Sequence, residues 1–286
     1  MPVRFLSRSF LFVAPALALV AGCGNGGGGD PPAKPLMKEY GGGELISQVN
    51  GPATWENLDN PEMMGEGCAY PRDTNVYITG ATVLAIDTFD ETQTGQTGNY
   101  YVEDTVSDPP AYSGITAFAP AFTPPDLRLF PGDVIDFFGS KSEFPGPSVG
   151  YFPHCDTLPE LGGTMTFRFD GEMPLSPKAV DKMDLTSYAT ARQWLGMLVR
   201  VEDVDLVQAS GSCSNLPSQC RYTAKFNIPG LPFSDVPVVA NELYDLANQG
   251  PDLSSSSGTH FKAITGIVTY FYGFHLDPRS PADFEQ

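Results

Sequence analysis

The sequence predicts a mainly β protein that consists of two small, related β-barrels in tandem and one or two short helices. From Asn75 onward, short runs of β-prone residues alternate with turns rich in Gly, Pro, Asn and Asp, which is the pattern of an all-β sandwich or barrel. Segments of the same strand type also recur at nearly constant offsets, which indicates an internal duplication. The predicted strands are 75–87, 99–104, 114–120, 133–139, 164–169, 197–207, 221–228, 236–243 and 261–274.

The duplication rests on three matches between the two halves of the chain. These matches are 76–84 with 199–207 at an offset of 123 residues, 139–146 with 266–273 at an offset of 127, and Tyr100 with Tyr222 at 122. The closing segments 175–181 and 276–283 lie only 101 residues apart, so we expect the first copy to carry an insertion before its last strand, with Cys155 in it. Chance similarity between strands of like composition is the alternative.

The first 23 residues have the features of an export signal. Arg4 and Arg8 precede an apolar run at 10–20 that is too short to span a bilayer as a helix, and small residues lead to Cys23. This arrangement resembles the bacterial lipobox, which implies that residues 1–22 are removed and that Cys23 is acylated. The alternative is an ordinary signal peptide with an incidental cysteine.

A Gly-rich stretch follows Cys23 and favours the lipoprotein interpretation, because its composition is typical of a flexible tether. The resemblance implies a protein that is exported and lipid-anchored to the cell envelope. Gly24 stands where some bacteria use Asp for inner-membrane retention, which favours the outer membrane. The predicted organisation is a signal peptide at 1–22, the lipidated Cys and tether at 23–36, an extension at 37–71 that packs on the first barrel, a first domain at 72–186 and a second domain at 187–286.

Three segments need a separate prediction. Residues 184–196 contain helix formers, a candidate cap at Asp184 or Ser187 and a terminal Gly196, which predicts a helix. A second helical turn is predicted at 241–250. The run at 44–49 is predicted as a short strand.

Four cysteines remain besides Cys23, and an even number behind an export signal suggests two disulfides. They are Cys68, Cys155, Cys213 and Cys220, for which three pairings are possible. The short loop between the last two favours Cys213–Cys220 and, by elimination, Cys68–Cys155. A zinc site would need tighter, CxxC-like spacing.

The chain is strongly acidic, with a net charge of −18 at pH 7. Loss of Arg4 and Arg8 with the leader leaves 14 basic against 34 acidic residues, a net charge of −20. This charge disfavours nucleic-acid binding, whose affinity comes mostly from basic side chains that neutralise phosphates. It is compatible with divalent cations or with a basic partner.

Five short strands in each copy suit a small OB-like barrel. Gly80, Gly139 and Gly266 lie inside predicted strands and would mark bulges or sharp bends. The runs 132–146 and 196–202 resemble the OB-like domains of secreted bacterial nucleases and of bacterial lipoproteins with no assigned activity. The matched positions are Gly132, Asp133, Val134, Gly139, Glu143, Phe144, Gly146 and Gly196 through Glu202.

The resemblance covers about 72–286 and implies the fold far more strongly than a function. In the nucleases, the chemistry belongs to a separate domain of the endonuclease/exonuclease/phosphatase type, for which no residues follow Gln286. The resemblance therefore implies an accessory module and not an enzyme.

The histidines predict no active site. His154 is expected in a loop, and a triad of Ser257, His260 and Asp252 would lack the G-x-S-x-G nucleophile elbow. A surface turn accounts for His275 without a ligand role.

Metal sites are equally unsupported by the sequence. An HxD pair such as His275 and Asp277, with Asp283 nearby, can bind metal, but a surface turn explains these residues more simply. The acidic runs 87–92 and 201–205 lack the calcium-loop pattern and are expected to be solvated edges. We therefore expect no metal and no cofactor.

Aromatic side chains are the remaining candidates for a binding site, because OB folds bind ligands across their second and third strands and the flanking loops. Core packing is the alternative for each of them. The candidates are Tyr100, Tyr101 and Phe118 in the first copy and Tyr222 and Phe226 in the second.

The expected function is that of a non-catalytic, membrane-anchored lipoprotein that presents OB-like modules to a small ligand or an envelope protein. Its expected partners are the lipid bilayer, through acylated Cys23, and one such ligand or protein, but not nucleic acid. The alternative is an accessory subunit of a separately encoded nuclease or other extracellular hydrolase, by analogy of fold.

Overall fold

Two closed, five-stranded β-barrels follow one another along the chain in the computed structural model, which confirms the predicted fold class. The structure describes residues 42–51, 62–64, 68–87, 99–118, 129–147, 150–174, 176–213, 220–253 and 258–286. The leader, Cys23 and the tether lie outside the described residues, so lipidation stays a prediction.

The first barrel follows a two-stranded hairpin. The strands are β1 Glu62–Met64 and β2 Cys68–Tyr70 in the hairpin, then β3 Thr74–Ile86, β4 Tyr100–Asp104, β5 Gly114–Ala117, β6 Asp133–Phe144 and β7 Leu158–Glu172 in the barrel. The barrel order is β3-β4-β5-β7-β6, and β6 pairs back onto β3. Only β5 and β7 run parallel.

The second barrel repeats this arrangement. Its strands are β9 Leu198–Cys213, β10 Cys220–Phe226, β11 Val238–Ala240, β12 Thr259–Tyr270 and β13 Phe274–Asp277, preceded by β8 Lys178–Ala179 and followed by β14 Phe284–Glu285. The order is β9-β10-β11-β13-β12, with β12 closing onto β9 and with β11 parallel to β13. In both barrels, therefore, the third strand pairs in parallel with the fifth, which is consistent with OB-like domains.

The strand register supports the duplication. Val76 on β3 lies opposite Gly139 on β6, and Val199 on β9 lies opposite Gly266 on β12. The offsets of 123 and 127 residues thus join equivalent positions of the two barrels. The predicted insertion is also present, because 145–157 connects β6 to β7 whereas 271–273 connects β12 to β13.

The fourth strand of each barrel, β6 or β12, requires a glycine where the fifth strand, β7 or β13, passes close by. A Cβ on Gly139 would lie 2.0 Å from the carbonyl oxygen of Gly162, and one on Gly266 would lie 2.9 Å from the carbonyl carbon of Asp277. Gly80 has a different role, since it has φ +71° at a register shift in β3, which is the predicted bulge.

Each barrel has its own apolar core, and a small cluster joins the two. The joining cluster contains Leu84, Ala85 and Tyr101 from the first barrel together with Leu198, Leu243 and Ile267. The residues before β9 belong to the second core, where Val180 and Leu185 pack. The predicted domain limits at 72, 186 and 286 stay predictions.

Helices in the described residues are single turns. They are α1 Ile46–Val49, α2 Tyr188–Ala191 and α3 Leu246–Gln249, with 3-10 turns at Lys182–Thr186 and Arg192–Trp194 around α2. The helix expected at 184–196 is thus divided, because Ser187 has extended backbone angles. None of the helices in the described ranges is long and apolar enough to cross a membrane.

The prediction of a strand at 44–49 is wrong, because this run forms α1. The carboxylate of Asp104 on β4 accepts hydrogen bonds from the backbone N–H groups of Ile46 at 2.6 Å and Ser47 at 3.0 Å. These are two of the N–H groups that a helix start leaves unpaired. A side chain 58 residues away in the sequence therefore stabilises the start of α1.

A disulfide joins Cys68 on β2 to Cys155 in the insertion, as predicted. Cys213 and Cys220 lie directly opposite each other on β9 and β10. Their side chains lie outside the described residues, so the second disulfide stays a prediction.

A buried glutamate in the first barrel makes stability depend on pH. The side chain of Glu103 on β4 is 4% exposed, and its Oε1 has no hydrogen-bond partner among the described residues. Burial, followed by the charge of Asp104, raises the pKa of Glu103 to about 8, although Lys178 opposes the shift. Burial, followed by the charge of Glu143, likewise raises the pKa of Glu160 to about 7.

We expect the free energy of unfolding to fall as the pH rises from 5 to 8, because the folded state retains protons that the unfolded chain has released. At about 1.4 kcal/mol per pH unit, Glu103 alone accounts for a loss on the order of 3 kcal/mol. Urea unfolding at pH 5, 6.5 and 8 measures this slope. Glu103→Gln should make the slope shallower, with Glu160 accounting for part of what remains, whereas the exposed Glu202→Gln should leave it unchanged. Equal slopes in all three proteins would contradict the assignment.

Candidate functional site

A cleft of about 340 Å³ lies at the end of the second barrel where β12 turns into β13. Four segments form its walls: 153–156 from the insertion of the first barrel, 185–188 around the start of α2, 234–237 before β11, and 270–274. Because β11 and β13 are parallel neighbours, the segment that enters β11 and the turn that enters β13 lie at the same end of the barrel.

An aromatic cluster holds the insertion against the second barrel. The ring of Phe152 contacts four other rings edge-on, with centroid distances of 5.0 to 5.9 Å; they belong to Phe144, Tyr270, Phe271 and Tyr272. The hydroxyl of Tyr272 also donates to the carbonyl oxygen of Gly150. Together with the Cys68–Cys155 disulfide, these contacts hold one wall of the cleft in place.

Two of these aromatic side chains face solvent. Tyr270 and Phe274 are buried, but Phe271 is 38% and Tyr272 49% exposed. The reason is the turn between β12 and β13, in which Tyr272 adopts φ +57°. Tyr151 in the insertion, 38% exposed, adds a third aromatic side chain to this region.

The cleft itself contains hydroxyl and carboxyl groups. The hydroxyl of Tyr270 donates to Asp156 Oδ2 at 2.6 Å. Burial raises the pKa of Asp156, although the hydrogen bond from Tyr270 and the charge of His154 oppose the shift. Burial also raises the pKa values of Tyr270 and Tyr188, so both phenols keep their protons at neutral pH and act as hydrogen-bond donors.

A buried ionic network lies directly behind the cleft. Glu143 on β6 accepts hydrogen bonds from Lys141, from Arg192 Nη2 at 3.0 Å and from Thr157 Oγ1 at 2.7 Å. The hydroxyls of Thr157 and Tyr188 are 3.0 Å apart, which connects the network to the cleft wall. The network joins the first barrel to the segment that leads into the second. The sequence analysis did not predict it.

The five aromatic candidates, three in the first barrel and two in the second, differ in their surroundings. Phe118 is 45% exposed, whereas Tyr100 and Tyr222 are partly buried against the two barrel cores. Tyr101 lies in the cluster between the barrels, and Phe226 is 1% exposed in the second core. None of the five lines the cleft.

The histidines take three different places. His154 lines the cleft, and His260 is paired with Asp205 at 2.9 Å on an exposed surface. His275 lies on β13 and not in a surface turn, and Asp277 lies two residues further along the same strand. Ser257 lies outside the described residues.

No family model matches the chain, and neither the curated proteins nor the solved structures contain a significant match.

Proposed function

We propose that this chain is a non-catalytic lipoprotein of the cell envelope, anchored by acylated Cys23, that binds a ligand in the cleft at the end of its second barrel. The outer membrane is the proposed location. The resemblance to OB-like modules of secreted nucleases and envelope lipoproteins favours an accessory or binding role. The observation that carries the proposal is the cleft, with its hydroxyl and carboxyl lining and its exposed aromatic side chains alongside.

The chemistry of the cleft favours an uncharged oligosaccharide as the ligand. OB-like barrels bind oligonucleotides and oligosaccharides through their loops. The net charge of −18 disfavours the oligonucleotides. The phenol oxygens and the carboxyl groups of the cleft can accept hydrogen bonds from sugar hydroxyls, and exposed rings such as Phe271 and Tyr272 can pack on the apolar face of a sugar.

In this proposal, the carboxyl and phenol groups of the cleft bind the ligand and do not catalyse a reaction. Asp156 and Tyr270 are hydrogen-bonded to each other, which satisfies the phenol proton. Ser187 Oγ lies 2.8 Å from the hydroxyl of Thr190, so the hydrogen bond described for it is with a hydroxyl and not with a general base. Purified protein should therefore show no hydrolase or nuclease activity with or without divalent metal.

A glycan array probed with the full-length chain tests the proposal, with single-stranded oligonucleotides included as a comparison. We expect binding to neutral oligosaccharides and none to the oligonucleotides. Asp235→Asn, in the cleft, and Phe271→Ala, on the exposed turn that follows the cleft residue Tyr270, should each lower the affinity about tenfold, the effect of losing one good contact.

Phe138→Ala is the matched control, because Phe138 is 67% exposed but lies outside the cleft. It should bind like the wild type. An array without signal, or a salt-sensitive complex with the oligonucleotides, would contradict the proposed ligand class.

A further inference from the structure

Three metal-ligating side chains meet on the outer face of the second barrel, and none of them lines the cleft. Because side chains alternate along a strand, His275 and Asp277 on β13 share a face, while Leu276 between them points into the core. β11 runs parallel to β13, with Val239 opposite Leu276. Glu242, two residues beyond the end of β11, therefore lies beside the same stretch of β13.

The ligand atoms of these residues are close enough for one ion. The candidate atoms of Glu242, His275 and Asp277 all lie within 4.8 Å of one another. His275 Nδ1 is 2.7 Å from Glu242 Oε1. Thr269 Oγ1, on the neighbouring strand β12, is 2.7 Å from Asp277 Oδ2 and 3.2 Å from Glu242 Oε2.

Two carboxylates lie side by side in this cluster, with the hydroxyl of Thr269 within hydrogen-bond distance of both. Asp277 is completely buried, and two neighbouring carboxylates repel each other more strongly where water is excluded. A divalent cation between them would convert this repulsion into attraction.

We propose that Glu242, His275 and Asp277 bind a divalent cation. One imidazole nitrogen and two carboxylate oxygens form a ligand set that suits Zn²⁺ or Mn²⁺. Ca²⁺ prefers a shell of oxygen ligands alone, so this set suits Ca²⁺ less well. Three protein ligands leave a further position for water or the hydroxyl of Thr269. The side chains of Glu242 and His275 are 19% and 12% exposed, which gives the ion access from solvent.

The ion would tie the segment after β11 to the end of β13. Leu243, the residue after Glu242, packs in the cluster between the barrels, and so does Ile267, which lies opposite Asp277 on β12. Metal binding is therefore expected to stabilise the contact between the two barrels. This role is independent of ligand binding in the cleft.

Titration calorimetry of the chelator-treated full-length chain with ZnCl₂, and separately with MnCl₂, tests the site, together with the melting temperature. We expect saturable binding of one ion and a higher melting temperature in its presence. Glu242→Gln, at a partly exposed position that tolerates an isosteric change, should weaken the affinity about tenfold or more. His275→Gln should do the same.

His260→Gln is the matched control, because His260 also pairs with a carboxylate, Asp205, but on an exposed surface outside the cluster. It should leave the affinity unchanged. The proposal is overturned if no saturable binding occurs with either metal, or if Glu242→Gln and His275→Gln bind like His260→Gln.

Discussion

Replacing Glu143 with alanine is expected to lower the free energy of unfolding by about 3–5 kcal/mol, which is the cost of breaking a buried ion pair from one side. Glu143 is 6% exposed, and its partners Lys141 and Arg192 are 4% and 6% exposed. The substitution would remove the carboxylate that both cations contact in this buried site. Equilibrium unfolding in urea measures the loss.

Asp203→Ala is the matched control, because it removes the acidic partner of Lys182 from an exposed ion pair. Such pairs contribute about 0–1 kcal/mol. The triple variant Lys141→Met, Glu143→Leu, Arg192→Met should recover much of the loss, because well-packed apolar side chains often replace a buried ionic group without cost. A loss for Glu143→Ala no larger than that for Asp203→Ala would show that the network does not hold the barrels together.

Replacing Cys23 with alanine is expected to abolish the incorporation of labelled palmitate into the protein. The wild type should be labelled and should sediment with the membrane fraction, since two or three acyl chains anchor a protein far more firmly than one. Gel fluorescence after metabolic labelling in a bacterial host measures incorporation. Cys213→Ala, which also removes one cysteine from the chain, should remain labelled.

Two results would count against the anchor. One is a wild type that takes up no label, which would favour an ordinary signal peptide. The other is label that persists in the Cys23→Ala protein, which would place the acyl chain on another residue.

The barrels were predictable because their signals are local. The alternation of β-prone runs and turns lies in the strands themselves, and Gly139 and Gly266 mark the same crossing in both copies. The offset of 127 residues between these two glycines correctly matched the fourth strands of the two barrels. The structure confirms the match, because Gly139 lies opposite Val76 and Gly266 lies opposite Val199. The Cys68–Cys155 disulfide followed from the count of cysteines and a single short loop.

The parts that the sequence did not reveal depend on contacts between distant residues. Glu143 and Arg192 are 49 positions apart and belong to different parts of the fold. Asp104 holds α1 from 58 positions away, which overrides the strand-like composition of 44–49. Glu242 reaches His275 only because β11 and β13 run in parallel, and a pairing of this kind has no local signal.

Aromatic residues were hard to assign for a related reason. Composition alone does not say which side of a barrel strand is inside. Phe226 and Phe118 were therefore equally good candidates for a binding surface, although Phe226 is buried and Phe118 is exposed. Phe271 and Tyr272 looked like strand residues, but the positive φ of Tyr272 turns the chain and exposes both rings.

Hydrogen exchange of the full-length chain, with and without the oligosaccharide that binds best on the array, tests the central claim most directly. If the cleft is the binding site, protection should increase in 150–157, 185–188, 234–237 and 270–274, and the first-barrel strands should exchange as before. Protection confined to the first barrel, or no change at a saturating ligand concentration, would contradict the proposal that this protein binds its ligand at the end of the second barrel.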